Sequence, residues 1–137
     1  MCSDKQFKIG DVYMMWFDGV GSEQHGMRPG VIFSNNVGNK YSPNVIALPM
    51  TSSIKKVNQP THVVVKRDGT GLAKDSMVLC ENPERMSKDR IGEYITTLSM
   101  DTVRKLAIAS VLATSAIAFI EPESLINVWE AARSLNS

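Results

Sequence analysis

The sequence predicts a mainly β protein with C-terminal helices, folded as a small barrel or strongly bent sheet. Two features point there. Short β-forming runs recur between turn clusters through the first two thirds, and the hydrophobic period then changes to that of helices. A length of 137 residues suits one compact unit. Asp11–Phe17 is the first strand, followed by a long polar loop, Asp18–Gly30, with four glycines. Val31–Ser34 is a short second strand that closes at Asn35-Asn36, and a Gly/Asn-rich turn runs on through Asn44. Val45–Met50 and Thr61–Lys66 come next as strands, and Asp68-Gly69 opens a turn toward a fifth, Ser76–Cys80. Met86–Arg90 reads as one helical turn and Tyr94–Leu98 as a further strand.

Ser99 has the character of an N-cap, with Asp101 in the first turn of a helix reaching about Ala113. Val103, Leu106, Ala107, Val111 and Leu112 form its expected buried side. Pro122 then opens a second helix, in which Leu125, Val128, Trp129 and Ala132 make one apolar stripe. The expected organisation is a barrel domain with its helix over residues 1–118 and a helical extension over 119–137.

Composition is that of a globular protein, with 43% hydrophobic and 21% charged residues. A net charge of +1 excludes binding nucleic acid by bulk charge. Charge is uneven, however. Residues 1–68 hold 8 basic and 5 acidic side chains, against 7 and 9 in residues 69–137. A mildly basic first half can hold an anion site. The uncharged run Leu106–Ile120 is 15 residues, short of the roughly 20 needed to span a bilayer, and reads as a core helix. Cys2 and Cys80 lack metal-ligand spacing and read as reduced thiols of a cytoplasmic protein without a secretion signal. No metal is expected, because the only histidines, His25 and His62, stand 37 positions apart. His62, opening an apolar strand, reads as a satisfied structural histidine. His25 reads as solvated loop ahead of a proton carrier. Gly69-Thr70-Gly71 lacks phosphate-loop spacing and reads as a hairpin connection.

The segment from Gly21 to Gly30 is the most informative. By itself it is a polar loop, with Arg28 paired to some neighbouring carboxylate. It stands, however, in an ordered series. Gly10-Asp11-Val12-Tyr13 precedes it, then come Gly21-Ser22-Glu23-Gln24, Gly26 and Arg28-Pro29, and a Val-Ile strand ending in Asn comes after. Met50-Thr51-Ser52-Ser53-Ile54, Pro60-Thr61-His62-Val63 and Gly71-Leu72-Ala73-Lys74-Asp75-Ser76-Met77-Val78-Leu79 complete it. The series, over roughly residues 8–115, resembles the MazF/PemK family of bacterial toxins. The resemblance implies an SH3-like β-barrel of the MazF, PemK and CcdB type, usually homodimeric and neutralised by a cognate antitoxin.

It also implies a cytoplasmic, metal-independent endoribonuclease that needs no cofactor and no membrane. Such an enzyme cuts single-stranded RNA, usually mRNA, at short sites, leaving 2′,3′-cyclic phosphate and 5′-hydroxyl ends. That reaction requires a proton lost at the 2′-oxygen, one gained at the 5′-oxygen, and stabilisation of a phosphorane. A guanidinium suits the last task because it donates paired hydrogen bonds to phosphate oxygens. Arg28 and Thr51 match the family's catalytic pair. Ser22, Glu23, Gln24, Ser52, Ser53, Lys55, Lys56, Glu81 and Asn82 are the residues expected to contact RNA. Phe17, Tyr41 and His62 are the flat groups available to bases. Two departures qualify the resemblance. Glu81-Asn82-Pro83-Glu84 stands where members commonly read Glu-Gln-Ile-Arg, and the chain continues about twenty residues past the usual end. Two alternatives remain: a non-catalytic toxin on the same fold that binds a protein such as DNA gyrase, or a catalytically impaired member.

Overall fold

The computed structural model describes residues 6–18 and 25–137. Seven strands form one antiparallel sheet: β1 (Asp11–Asp18), β2 (His25–Ile32), β3 (Asn44–Thr51), β4 (His62–Val65), β5 (Ser76–Leu79), β6 (Glu84–Ser87) and β7 (Ile91–Thr97). Their order is β4-β5-β3-β2-β1-β7, with β6 also on β3. No pairing joins β4 to β7, so the sheet is bent and open rather than a closed barrel. Among the described residues three α-helices complete the fold: α1 (Asn36–Tyr41), α2 (Met100–Thr114) and α3 (Leu125–Ser134).

Strand alternation explains why both faces of the central sheet are apolar. Val12, Val31 and Leu48 point to one side, where Val63, Val65 and Val78 of the folded-over strands and Leu106 and Ala109 of α2 cover them. Tyr13, Met15, Phe17, Ile32, Val45, Ala47, Met86 and Ile91 fill the other side with Phe7. Register shifts in the β1–β7 ladder on either side of Tyr13 supply part of the bend.

β3 is the pivot. One of its edges pairs β6 along Asn44–Ala47 and β5 along Met50 and Thr51. Pro49 falls at the change of partner, where a missing N–H disturbs no ladder bond on that edge. Gly30, opposite Pro49, has a packing reason to be glycine: a Cβ there would stand 2.7 Å from the Met15 sulfur and 2.9 Å from Phe17 Cζ.

Four sequence expectations need correction. Residues 25–30 are not loop, because β2 pairs with β1 from Asp18↔His25 to Val12↔Val31. The Gly/Asn-rich turn contains α1, whose polar residues are satisfied internally. Asn35 caps the Gly38 N–H at 2.8 Å, and the buried Asn39 donates to the Ser34 carbonyl at 2.8 Å. Met86 belongs to strand β6, and only Lys88–Arg90 makes a helical turn. On α2, Ser99 caps Thr102 as expected, but only Leu106 and Ala109 are buried, with Val103 half-buried. Ala107, Val111 and Leu112 face outward. The hairpin reading of Gly69–Gly71 holds, since those residues lie in the β4–β5 connection with Gly69 at φ +76°. No helix among the described residues is long and apolar enough to cross a membrane.

Candidate active site

The candidate site lies where β2 and β3 diverge. The two strands pair through Ile32↔Ala47, Val31↔Leu48 and Gly30↔Pro49. That pairing ends two residues short of Arg28 on β2 and of Thr51 on β3, and alternation puts both side chains on the face of Gly30 and Pro49. Residues directly opposite in an antiparallel pair share a face, as do residues two apart along a strand. Arg28 and Thr51 therefore share the face of Met15, which pairs with Arg28 across β1–β2. Arg28 is carried by a strand and is half-buried, so its backbone is fixed more firmly than a loop would fix it.

Thr51 ends β3 and is half-buried. Its Oγ1 accepts the Ser53 N–H at 3.1 Å, which orients the hydroxyl and leaves its proton for another acceptor. Ser52, Ser53, Lys55 and Lys56 lie beyond it on the exposed connection to β4. Lys56 has a left-handed backbone, φ +53°. Glu81 and Asn82 lie just after β5, also exposed. The Glu81 carboxylate is engaged by His62 Nε2 at 2.7 Å. Ser22, Glu23 and Gln24 lie outside the described residues, as does Cys2.

Residue 84 gains significance from its place. Glu84 pairs with Ala47, which pairs with Ile32, so Glu84 belongs to the same sheet face as Arg28 and Thr51. In sequence this acid shows only as a departure from the family pattern. Its i, i+2 relation to buried Met86 is the signal that places it on that face. Two of the expected flat groups are not available to bases there. Phe17 is 1% exposed, sealed over Gly30. Tyr41 is exposed on α1, at the opposite end of β3, roughly 20 Å away at ~3.3 Å per strand residue. Sequence reading passes over Trp16, which is 49% exposed and pairs with Met27 on the reverse face.

A cavity of about 680 Å³ lies at that far end, lined by Phe7, Lys8, Lys40, Tyr41 and the C-terminal residues, away from Arg28 and Thr51. Cys80 is a free, buried thiol that burial pushes up to about 11, with Ser110 pulling against the shift, so it is no nucleophile at neutral pH. Among the described residues no three His, Cys, Asp or Glu side chains group to hold a metal ion.

Residues 8–113 match the model of the PemK-like, MazF-like toxin of type II toxin–antitoxin systems. The chain belongs to this family. The match takes in all seven strands and α2 up to its last residue. The chain is 46% identical over 91 residues to the endoribonuclease MazF of Staphylococcus saprophyticus, covering 66% of this chain and 76% of that one. Among solved structures, MazF from Deinococcus radiodurans superposes with a TM-score of 0.71 at 21% identity, over 82% of this chain and 99% of that one. That likeness is one of fold. A mycobacterial endoribonuclease solved with its cognate antitoxin is 27% identical, with a TM-score of 0.66 over 80% of this chain and 95% of its own. The family match ends at residue 113, so α3 lies outside it.

Proposed function

We propose that this PemK/MazF family member is the endoribonuclease toxin of a toxin–antitoxin pair. We further propose that it cuts single-stranded RNA at short sites without a metal. The place of Arg28 and Thr51 on one face, by strand alternation, supports the reading. The activity follows the name of the staphylococcal relative, and the antitoxin partner follows that of the mycobacterial complex.

The residues suit attack by the substrate's own 2′-hydroxyl. That nucleophile is already part of the RNA, so no activated water is required. The 2′-oxygen loses its proton, bonds to phosphorus and displaces the 5′-oxygen, which gains a proton. The products are a 2′,3′-cyclic phosphate and a 5′-hydroxyl. Arg28 donates two hydrogen bonds to the non-bridging oxygens as charge grows on them. The Thr51 hydroxyl, oriented by the Ser53 N–H, donates to one of those oxygens or to the attacking group. Ser22, Glu23, Gln24, Ser52, Ser53, Lys55, Lys56, Glu81 and Asn82 contact the RNA in this reading. The working form is a cytoplasmic homodimer, each chain having a catalytic unit over 1–118 and an added segment over 119–137.

The test is cleavage of a long unstructured RNA in excess EDTA, with product ends analysed chemically. Arg28→Ala and Thr51→Ala are each expected to lower the rate by about 10²–10³. Cutting that survives both substitutions puts the active site elsewhere. A folded wild-type protein that cuts no RNA sends the search to a protein target such as gyrase.

A further inference from the structure

His62 is held more tightly than a strand-opening histidine requires. Its side chain is 7% exposed. Nε2 lies 2.7 Å from Glu81 Oε2, and Nδ1 lies 3.2 Å from the Lys56 carbonyl oxygen. Both neighbours of the ring are acceptors, a carboxylate oxygen and a carbonyl oxygen, and a ring nitrogen that carries hydrogen donates to the one it faces. The Lys56 carbonyl also accepts the Gln59 N–H at 3.0 Å, and the His62 N–H donates to the Gln59 carbonyl at 3.0 Å. These bonds converge on Lys56, a non-glycine residue in the left-handed region at φ +53°. Such a conformation costs of order 1 kcal/mol or more and persists only where its surroundings impose it. His62 pairs with Leu79 across β4–β5, so Glu81, two residues on, is its diagonal neighbour, and the brace has a fixed base.

We infer that His62 is a positioning residue for the RNA-contacting loop: its ring ties the Lys56 carbonyl to the Glu81 carboxylate and so fixes the segment from Ser52 to Thr61. The inference deepens the ribonuclease reading and rests on it. Glu81 and Lys56, 25 residues apart in sequence, become one unit. Glu81 acts on RNA partly through the loop it holds in place.

The test uses the full-length protein and an RNA oligonucleotide made uncleavable by a 2′-deoxy sugar at the scissile position. Affinity is read by fluorescence anisotropy and loop order by amide exchange. His62→Phe keeps a flat ring and removes both ring nitrogens; His62→Gln keeps one donor group. His62→Phe is expected to weaken binding about tenfold and His62→Gln about threefold. The Gln59 amide should exchange faster in both, with β1–β2 protection unchanged. Glu81→Gln should weaken binding too, and adding it to His62→Phe should cost less than the two separate losses combined. Wild-type affinity and Gln59 protection in His62→Phe overturn the inference and leave the ring a stacking role at most. If β1–β2 protection is lost in His62→Phe, His62→Gln and Glu81→Gln decide, and wild-type affinity in both overturns it. Wild-type protein that binds no RNA brings down the ribonuclease reading itself, and the inference with it.

Discussion

Helices α2 and α3 are equally legible as amphipathic segments, yet the fold treats them differently. α2 inserts Leu106 and Ala109 into the core beneath β4, at 0% and 2% exposure. α3 buries no residue, and its stripe of Leu125, Val128 and Trp129 stays open. Its anchorage is polar and lies beyond its own end. The Leu135 carbonyl accepts the Val37 N–H at 3.2 Å, and Asn136 Oδ1 accepts the Asn36 N–H at 2.9 Å. The tail thus satisfies first-turn donors of α1 that would otherwise lack partners. An apolar stripe says that a helix has a face to cover, and only the surrounding fold says whether anything covers it. The boundary between the two cases coincides with the end of the family match at residue 113.

Substitutions test this contrast. The largest loss is expected in the body. Phe17→Ala should cost about 3–5 kcal/mol and Leu106→Ala about 2–5 kcal/mol in denaturant unfolding, since each empties a sealed position. A loss below about 1 kcal/mol at Leu106 would mean that α2 is as loosely held as α3. High pH offers a second probe of the body. Cys80 is protonated to about 11 in the folded chain but titrates near its ordinary value of 9.0 when unfolded. The folded state then binds more protons, so stability is full below about 9 and falls between about 9 and 11. Cys80→Ala should flatten that part of the stability profile. At the tail, Asn136→Ala removes one bond to α1 and should cost about 0.5–1.5 kcal/mol. The smallest effect is expected for Trp129→Ala, within about 0.5 kcal/mol when unfolding is measured at low protein concentration. A larger loss that grows with protein concentration would show that the stripe is covered by a second molecule.

The sequence carries the site's chemistry further than its geometry. Arg28 and Thr51 stand out through their neighbours in an ordered series of motifs. Their shared face depends on a strand that the sequence conceals. Gly26 and Pro29 have poor β propensity, and this segment forms a strand because β1 pairs with it from Val12 to Asp18. α1 is hidden for a related reason: Asn and Gly signal turns, and only the buried Asn39, bonded to its own neighbours, makes six such residues a helix. The His62–Glu81 contact spans 19 residues and leaves no local trace in sequence.

Local preference and period thus determined the β-then-α order, the cap at Ser99 and the presence of two C-terminal helices, because these depend on residues a few positions apart; Pro122 opens a 3-10 turn ahead of α3. Only the tertiary structure decided three things. It left the sheet open rather than closed, it put Arg28, Thr51 and Glu84 on one face, and it sealed Leu106 and Ala109 of α2 while leaving the stripe of α3 open. Each of these depends on which strands meet and in what register, and register is set by the simultaneous packing of both faces of the sheet.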